Sequence, residues 1–200
     1  MRVNLANGKA ELGDAQGDQI TGIENLTGSA FNDTLTGDKA ANRLQGGSGN
    51  DILSGGTGAD VIYGGAGIDS LTGGVPGSAD GASDLFVFNT ALNALANVDT
   101  VSIFEASALD KIALDPAVFI AISGGATSGL DLSEFRVGSR SLDADDFIVF
   151  DKGSGGSGKL YYDADGDGPG AKVLFAQLAG IIGSLDYTDF TTILPADIWA

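Results

Sequence analysis

Cysteine and histidine are both absent from this 200-residue sequence. Their absence removes the thiolate and imidazole ligands that zinc, copper and iron sites favour, and leaves hard oxygen donors. It also removes cysteine nucleophiles and Ser-His-Asp chemistry, and it excludes a disulfide scaffold. Basic residues are scarce: 10 Lys and Arg stand against 27 Asp and Glu, a net charge of −17. A field of that sign disfavours nucleic acid and anionic membrane surfaces and favours cations. No apolar run approaches the ~18 residues that a membrane-spanning helix needs. Met1, Arg2, Val3 and Asn4 do not open a charged-then-apolar leader, so an exported chain of this kind would leave by a route that reads another signal. Acidic pairs such as Asp145 and Asp146 arise by chance at this acidity, and no phosphate-loop lysine is present. An enzyme is therefore not expected.

Glycine, by contrast, supplies 32 residues, more than twice the usual share of about 7%. Hydrophobic residues make up 43%, enough to bury a core. The glycines are periodic. Residues 46–54 read GGSGNDILS, 55–63 read GGTGADVIY and 64–72 read GGAGIDSLT, each fitting G-G-x-G-x-D-x-U-x with U a large aliphatic. The register runs back through GDKAANRLQ (37–45) and GSAFNDTLT (28–36). Asp33, Asn42, Asp51, Asp60 and Asp69 hold the sixth position, and Leu35, Leu44, Leu53, Ile62 and Leu71 hold the eighth. One step earlier, Leu26 keeps the aliphatic phase and Glu24 the acidic one. A flexible linker would not keep Asp and Leu in phase across five units.

Glycine at the first, second and fourth positions permits a tight turn whose carbonyls face a cation. The D-x-U-x segment forms a short strand with its aliphatic side chain pointing inward. Nine residues make a turn and a strand, so 18 make one coil, and coils stack as parallel strands roughly 4.8 Å apart. Turns two repeats apart then overlie, which places carboxylate over carboxylate. Those charges repel unless a cation with roughly six oxygen ligands lies between them.

On these residues the chain resembles the RTX family, the haemolysin-type calcium-binding domains of bacterial proteins exported by type I secretion, as in serralysin C-terminal domains and alginate epimerase R-modules. The resemblance implies an all-β fold: a parallel β-roll over residues 1–88, then an antiparallel β-rich cap with the secretion signal over 89–200. It implies Ca²⁺ held between turns one coil apart. Carried onto this sequence, one site is Gly47, Gly49 and Asp51 with Gly64, Ala66 and Asp69. On the opposite edge, Asp38, Ala40 and Asn42 pair with Gly55, Thr57 and Asp60. Further up, Ser29, Phe31 and Asp33 pair with Gly46, Ser48 and Asp51. The last two sites use degenerate first turns and should be weaker, since Asn42 is neutral and Phe31 replaces a glycine. Residues 73–83, GGVPGSADGAS, begin the pattern and lose it at Pro76; Asp84 and Phe86 restore the acidic and apolar places. That bulged turn would complete sites begun by Gly56, Gly58 and Asp60 and by Gly65, Gly67 and Asp69. Phe86 and Phe88 would close the end of the roll or join the core beyond it. VNLANGKAEL and QITGIENLT within 1–27 are similar to the family's lead-in, so a longer parent protein with a catalytic or adhesive domain is expected.

Beyond residue 88 the nonapeptide disappears. FIVF (147–150), KLYY (159–162) and KVLFAQL (172–178) read as strands, with GSGGSG (153–158) turning between the first two. Segments 98–114 and 141–178 are similar to the family's stretch on the C-terminal side of the roll. Asp163, Asp165, Asp167 and Gly168 form D-x-D-x-D-G, the opening of a calcium loop. The twelfth place is Leu174 rather than the bidentate Glu of an EF-hand, and the flanks read as strands. A calcium-binding hairpin loop and a solvated acidic turn both remain open. The tail, 185–200, would carry the uncleaved signal read by a type I exporter, and the protein is then expected outside the cell. A polysaccharide-binding or adhesive module is the alternative function, for which Lys39, Arg43 and Tyr63 are the only groove residues that stand out.

Overall fold

The computed structural model describes residues 1–12, 16–75, 80–106, 110–122 and 129–193. Nine short strands cover the repeats and their lead-in: β1 (Arg2–Asn4), β2 (Lys9–Glu11), β3 (Asn25–Thr27), β4 (Thr34–Thr36), β5 (Arg43–Ser48), β6 (Ile52–Ser54), β7 (Val61–Ala66), β8 (Ser70–Thr72) and β9 (Leu85–Phe88). Seven more complete the order: β10 (Asp99–Ser102), β11 (Lys111–Leu114), β12 (Phe135–Val137), β13 (Ile148–Lys152), β14 (Ser157–Tyr162), β15 (Val173–Ala179) and β16 (Phe190–Thr192). Among the described residues the only helical elements are single 3₁₀ turns at Leu132–Glu134 and Tyr187–Asp189. None of them is long and apolar enough to cross a membrane.

The 18-residue coil is present. In one sheet, β4 pairs in parallel with β6 and β6 with β8; in the other, β3 pairs with β5, β5 with β7 and β7 with β9. Every U residue lands on its counterpart one coil on. Val3, Leu35, Leu53, Leu71, Val101 and Leu178 form one inward ladder. Leu26, Leu44, Ile62, Phe86, Ile112 and Phe190 form the other. All twelve are buried in a single apolar cluster. Each such side chain contributes about 1.5–3 kcal/mol, so the ladders favour the register in which the turns overlie one another.

Phe86 does not end the stack: β11 and β16 carry its ladder two strands further, and β10 and β15 do the same for the other. The change at residue 88 is thus one of sequence pattern, while both sheets run on. Among the named strands, antiparallel pairing beyond the β1–β2 hairpin is confined to β13–β14–β15. There the Gly-Ser segment turns β13 into β14, as the sequence suggests. Aromatic rings fill the wider interior of this half, with Phe175 edge-on to Phe88 and Phe119 at 5.2 and 5.1 Å.

Candidate metal centre

The repeat glycines are there for two different reasons. Those at the second and fourth positions have positive φ: Gly47 at 107°, Gly49 at 112°, Gly56 at 119°, Gly58 at 116°, Gly65 at 104° and Gly67 at 144°. Side-chain-bearing residues rarely adopt that conformation. First-position glycines are needed for space instead. A Cβ on Gly46 would lie 2.2 Å from Asp51 Oδ2 and 2.5 Å from the Gly64 carbonyl oxygen. At Gly55 the same intrusion meets Asp60 Oδ2 at 2.2 Å and the Gly73 oxygen at 2.5 Å. These two turns therefore bring their own carboxylate oxygen and a carbonyl of the next coil's turn to a common point, and at Gly64 the Asp69 carboxylate oxygen takes the same place. The carbonyls of the first turns converge likewise. A Cβ on Gly65 would lie 2.1 Å from the Gly47 carbonyl oxygen, and one on Gly67 would lie 1.9 Å from the Gly49 oxygen.

The sixth-position side chains stand in two rows. Beyond the first of each row, each lends Oδ1 to the main-chain N–H of the residue above it in the stack. Asp33 N–H donates to Asp51 (2.7 Å), Asp51 to Asp69 (2.8 Å) and Asp69 to Asp99 (3.0 Å). In the second row Asn42 N–H donates to Asp60 (2.6 Å), Asp60 to Asp84 (2.9 Å) and Asp84 to Asp110 (3.1 Å). Asp84 thus occupies the acidic place expected of it. Asp99 and Asp110 were not singled out from sequence. Their signal was D-x-U, in DTV (99–101) and DKI (110–112), at spacings of 30 and 26 rather than 18.

The second carboxylate oxygen separates full turns from degenerate ones. Oδ2 of Asp51, Asp60 and Asp69 is buried without a hydrogen-bond partner. These are the three turns that match the nonapeptide in full. In the degenerate turn Asp33 Oδ2 accepts from Ser29 N–H at 2.5 Å and from its hydroxyl at 2.9 Å, while the adjacent Phe31 side chain is exposed. Asn42 Oδ1 accepts from Asp38 N–H at 2.7 Å. Ala40 can offer only its main chain, as can Ala66, whereas the Ser29 hydroxyl is engaged within its own turn, donating to Asp33 and accepting from Phe31 N–H.

Stacked, buried carboxylates resist ionisation. Burial pushes Asp60 up to about 7, Asp69 to about 6 and Asp84 to about 6, with neighbouring carboxylates adding to the shift. Asp99 is pushed up to about 8 and Asp110 to about 7 by the same causes. Burial raises Asp51 too. Asp33 goes the other way: burial opposes, but hydrogen bonds from the Met1 amino group and Ser29 outweigh it.

Calcium takes six to eight oxygens and accepts carbonyls readily. Among the described residues no three Asp, Glu, His or Cys side chains converge as a ligand group. A cage here must therefore be completed by main-chain carbonyls, and those are what the glycine turns direct inward. Orphaned Oδ2 atoms, converging carbonyls and the lack of any soft donor all fit Ca²⁺.

Asp163, Asp165 and Asp167 lie apart from the roll turns, in the loop joining β14 to β15. Strands flank it, so it is no EF-hand. Asp163 Oδ2 accepts from the Ser141 hydroxyl at 2.8 Å, and its buried Oδ1 has no partner. Burial and the neighbouring Asp165 raise the Asp163 pKa. Of the groove residues, Tyr63 is buried, and Arg43 lies over its ring at 4.8 Å and donates to its hydroxyl. Pro76 and residues 194–200 of the tail fall outside the described residues.

No curated protein matches the sequence. Among solved structures, the chain is similar to the AlgE6R3 subunit from the Azotobacter vinelandii mannuronan C5-epimerase, with 25% identity over 84% of this chain and 83% of that one and a TM-score of 0.49. The family profile described as RTX calcium-binding nonapeptide repeat (4 copies) matches residues 18–53 and 36–71. That match falls on the stacked turns whose glycines, carboxylates and aliphatic ladders are described above. Residues 18–71 thus match the RTX calcium-binding nonapeptide repeat model, and these repeats are folded as a parallel β-roll.

Proposed function

We propose that this chain is a calcium-dependent folding module of a secreted protein, exported unfolded through a type I system. The observation that carries the reading is the orphaned, buried Oδ2 on Asp51, Asp60 and Asp69, with a carbonyl of the next coil beside those of Asp51 and Asp60. Gly47, Gly49 and Asp51 would hold one ion together with Gly64, Ala66 and Asp69. Gly56, Gly58 and Asp60 would hold a second with the turn ending at Asp84. Gly65, Gly67 and Asp69 would hold a third with the turn ending at Asp99. The turns at 28–33 and 37–42, pairing with Gly46, Ser48 and Asp51 and with Gly55, Thr57 and Asp60, are weaker, because their own oxygens are already hydrogen-bonded.

Bound Ca²⁺ supplies the positive charge that the rows lack, and folding is linked to binding. Calcium is scarce inside a bacterium and plentiful outside. With a net charge of −17, the calcium-free chain repels itself and stays threadable. Residues 1–88 serve as the ion-binding roll, and 89–200 as the cap with the export signal. The chain itself performs no catalysis, and an attached parent domain supplies any activity.

Isothermal titration of the full chain tests the reading. Calcium is expected to bind with at least three equivalents, one for each orphaned oxygen. Magnesium, which demands tighter octahedral geometry and keeps its waters, is expected to bind far more weakly. Absence of saturable calcium binding, or equal binding of magnesium, would refute it.

A further inference from the structure

Within the roll, the third residue of a turn serves the turn one coil before it in two ways. Its N–H donates to the second-position carbonyl of that earlier turn, Ser48 to Ser29 at 3.1 Å and Thr57 to Asp38 at 2.8 Å. Its carbonyl accepts from the earlier turn's fourth-position glycine, as Ala66 does from Gly49 N–H at 2.9 Å. These bonds fix the orientation of the glycine peptides whose carbonyls face the proposed ions. The turn of Gly65, Gly67 and Asp69 is the last regular one on its edge, because no nonapeptide follows one coil on.

Two side chains from the loop between β9 and β10 make both bonds there instead. The Thr90 hydroxyl donates to the Gly65 carbonyl at 2.8 Å, in the role of the third-position N–H. Asn97 Oδ1 accepts from Gly67 N–H at 2.8 Å, in the role of the third-position carbonyl. The Asn97 amide group joins the pair, donating to the Thr90 hydroxyl at 3.0 Å and to the Ala91 carbonyl at 3.1 Å. Together they present one donor and one acceptor, the complement of a peptide unit. Asn97 is itself held by a tight turn, its N–H donating to the Asn93 carbonyl at 2.9 Å. Two residues on, Asp99 lends Oδ1 to Asp69 N–H, so this loop meets the turn at three points. The opposite edge shows the same replacement, with Gly58 N–H donating to Asp80 Oδ2 at 3.1 Å.

We propose that Thr90 and Asn97 are positioning residues for the last calcium site on this edge, standing in for the repeat turn that would otherwise overlie it. They hold the Gly65 carbonyl and the Gly67 N–H in the shape that another nonapeptide would impose. Both act through the turn, and neither is assigned as a ligand. Ion binding at this turn is thereby coupled to order in the loop that leads into β10. The inference rests on the calcium-binding role proposed for the roll.

The test titrates calcium into the full chain by calorimetry and follows amide exchange residue by residue. Asn97→Ala and Thr90→Val are each expected to weaken one site by about three- to tenfold, the range that one or two hydrogen bonds cover, and to leave the other sites unchanged. Thr90→Ser, which keeps the hydroxyl, is expected to bind as the wild type does. In Asn97→Ala the Gly67 N–H is expected to lose protection, while the Gly49 N–H keeps its Ala66 partner and its protection. Should Asn97→Ala fail to fold, Thr90→Val and Thr90→Ser decide between them, since valine keeps the shape without the hydroxyl and serine does the reverse. A purely structural bond would lower the melting temperature of the chelated protein and leave every affinity alone. That outcome would overturn the proposal, as would Thr90→Ser weakening the site as much as Thr90→Val. Unchanged variants beside a wild type that binds calcium would sink this inference alone. A wild type without saturable calcium binding would sink it together with the folding role of the roll.

Discussion

Chelating calcium at pH 7.5 is expected to melt the roll, with the far-ultraviolet circular dichroism moving from β towards coil. A ligand present at a hundred times its dissociation constant contributes about 2.7 kcal/mol per site. The three proposed full sites then sum to about 8 kcal/mol, comparable with the ~5–15 kcal/mol net stability of a whole domain. Removing them also leaves two rows of buried, mutually repelling carboxylates. The loss has a pH signature. Asp60, Asp69, Asp84, Asp99 and Asp110 are pushed up to between about 6 and 8 in the calcium-free fold, against a usual 3.8. Between these limits the folded chain keeps protons that the unfolded chain has lost. Calcium-free stability is therefore fullest below about pH 4 and falls as pH rises towards 8. With calcium the sign reverses, because the ion needs deprotonated ligands and its affinity climbs through the same window. Chelated protein should regain β signal when acidified to pH 5. A chelated chain that keeps its β spectrum unchanged from pH 5 to 8 would contradict both halves of this expectation.

Asp51→Ala is expected to be the most damaging single carboxylate change. Asp51 stands in the middle of its row, lending Oδ1 to Asp33 N–H while its own N–H donates to Asp69. Its free Oδ2 faces the cradle at Gly46. Two proposed sites share it, the one with Asp33 and the one with Asp69. Removing one partner of a buried ionic contact costs about 3–5 kcal/mol, and calcium-loaded stability in urea should fall by that order. Asp38→Asn is the control. Its carboxylate caps only Ala40 N–H, so the change should stay within about 0.5 kcal/mol. Equal effects of the two substitutions would show that the stacked row holds no ion.

Residues 28–72 were legible from sequence because the nine-residue period fixes phase, register and facing all together. Leu44 and Ile62 are placed on each other by the period alone. What the period could not carry is its own continuation. After Leu71 the loops lengthen, so Asp99 and Asp110 keep the D-x-U phase but not the spacing. Phe86 read equally well as an end plug or as core, since nothing local says that Ile112 and Phe190 will stack beyond it. Parallel placement of β15 and β16 depends on long crossovers, which leave no periodic trace. The antiparallel β13–β14 hairpin was legible for the opposite reason, being a local pairing with a Gly-Ser turn. First-position glycines were assigned a conformational role, whereas their φ values are ordinary and the constraint is the oxygen pair beside them. In the D-x-D-x-D-G loop the sequence supplied ligand types. It could not show that Asp163 is buried with an oxygen unmet.

Anomalous diffraction from crystals grown in millimolar calcium addresses the stacked turns themselves. A peak is expected between the turn of Gly47, Gly49 and Asp51 and that of Gly64, Ala66 and Asp69, within about 2.3–2.6 Å of their oxygens. Ordered turns with no such peak, and with each Asp Oδ2 met by a protein donor instead, would contradict the account.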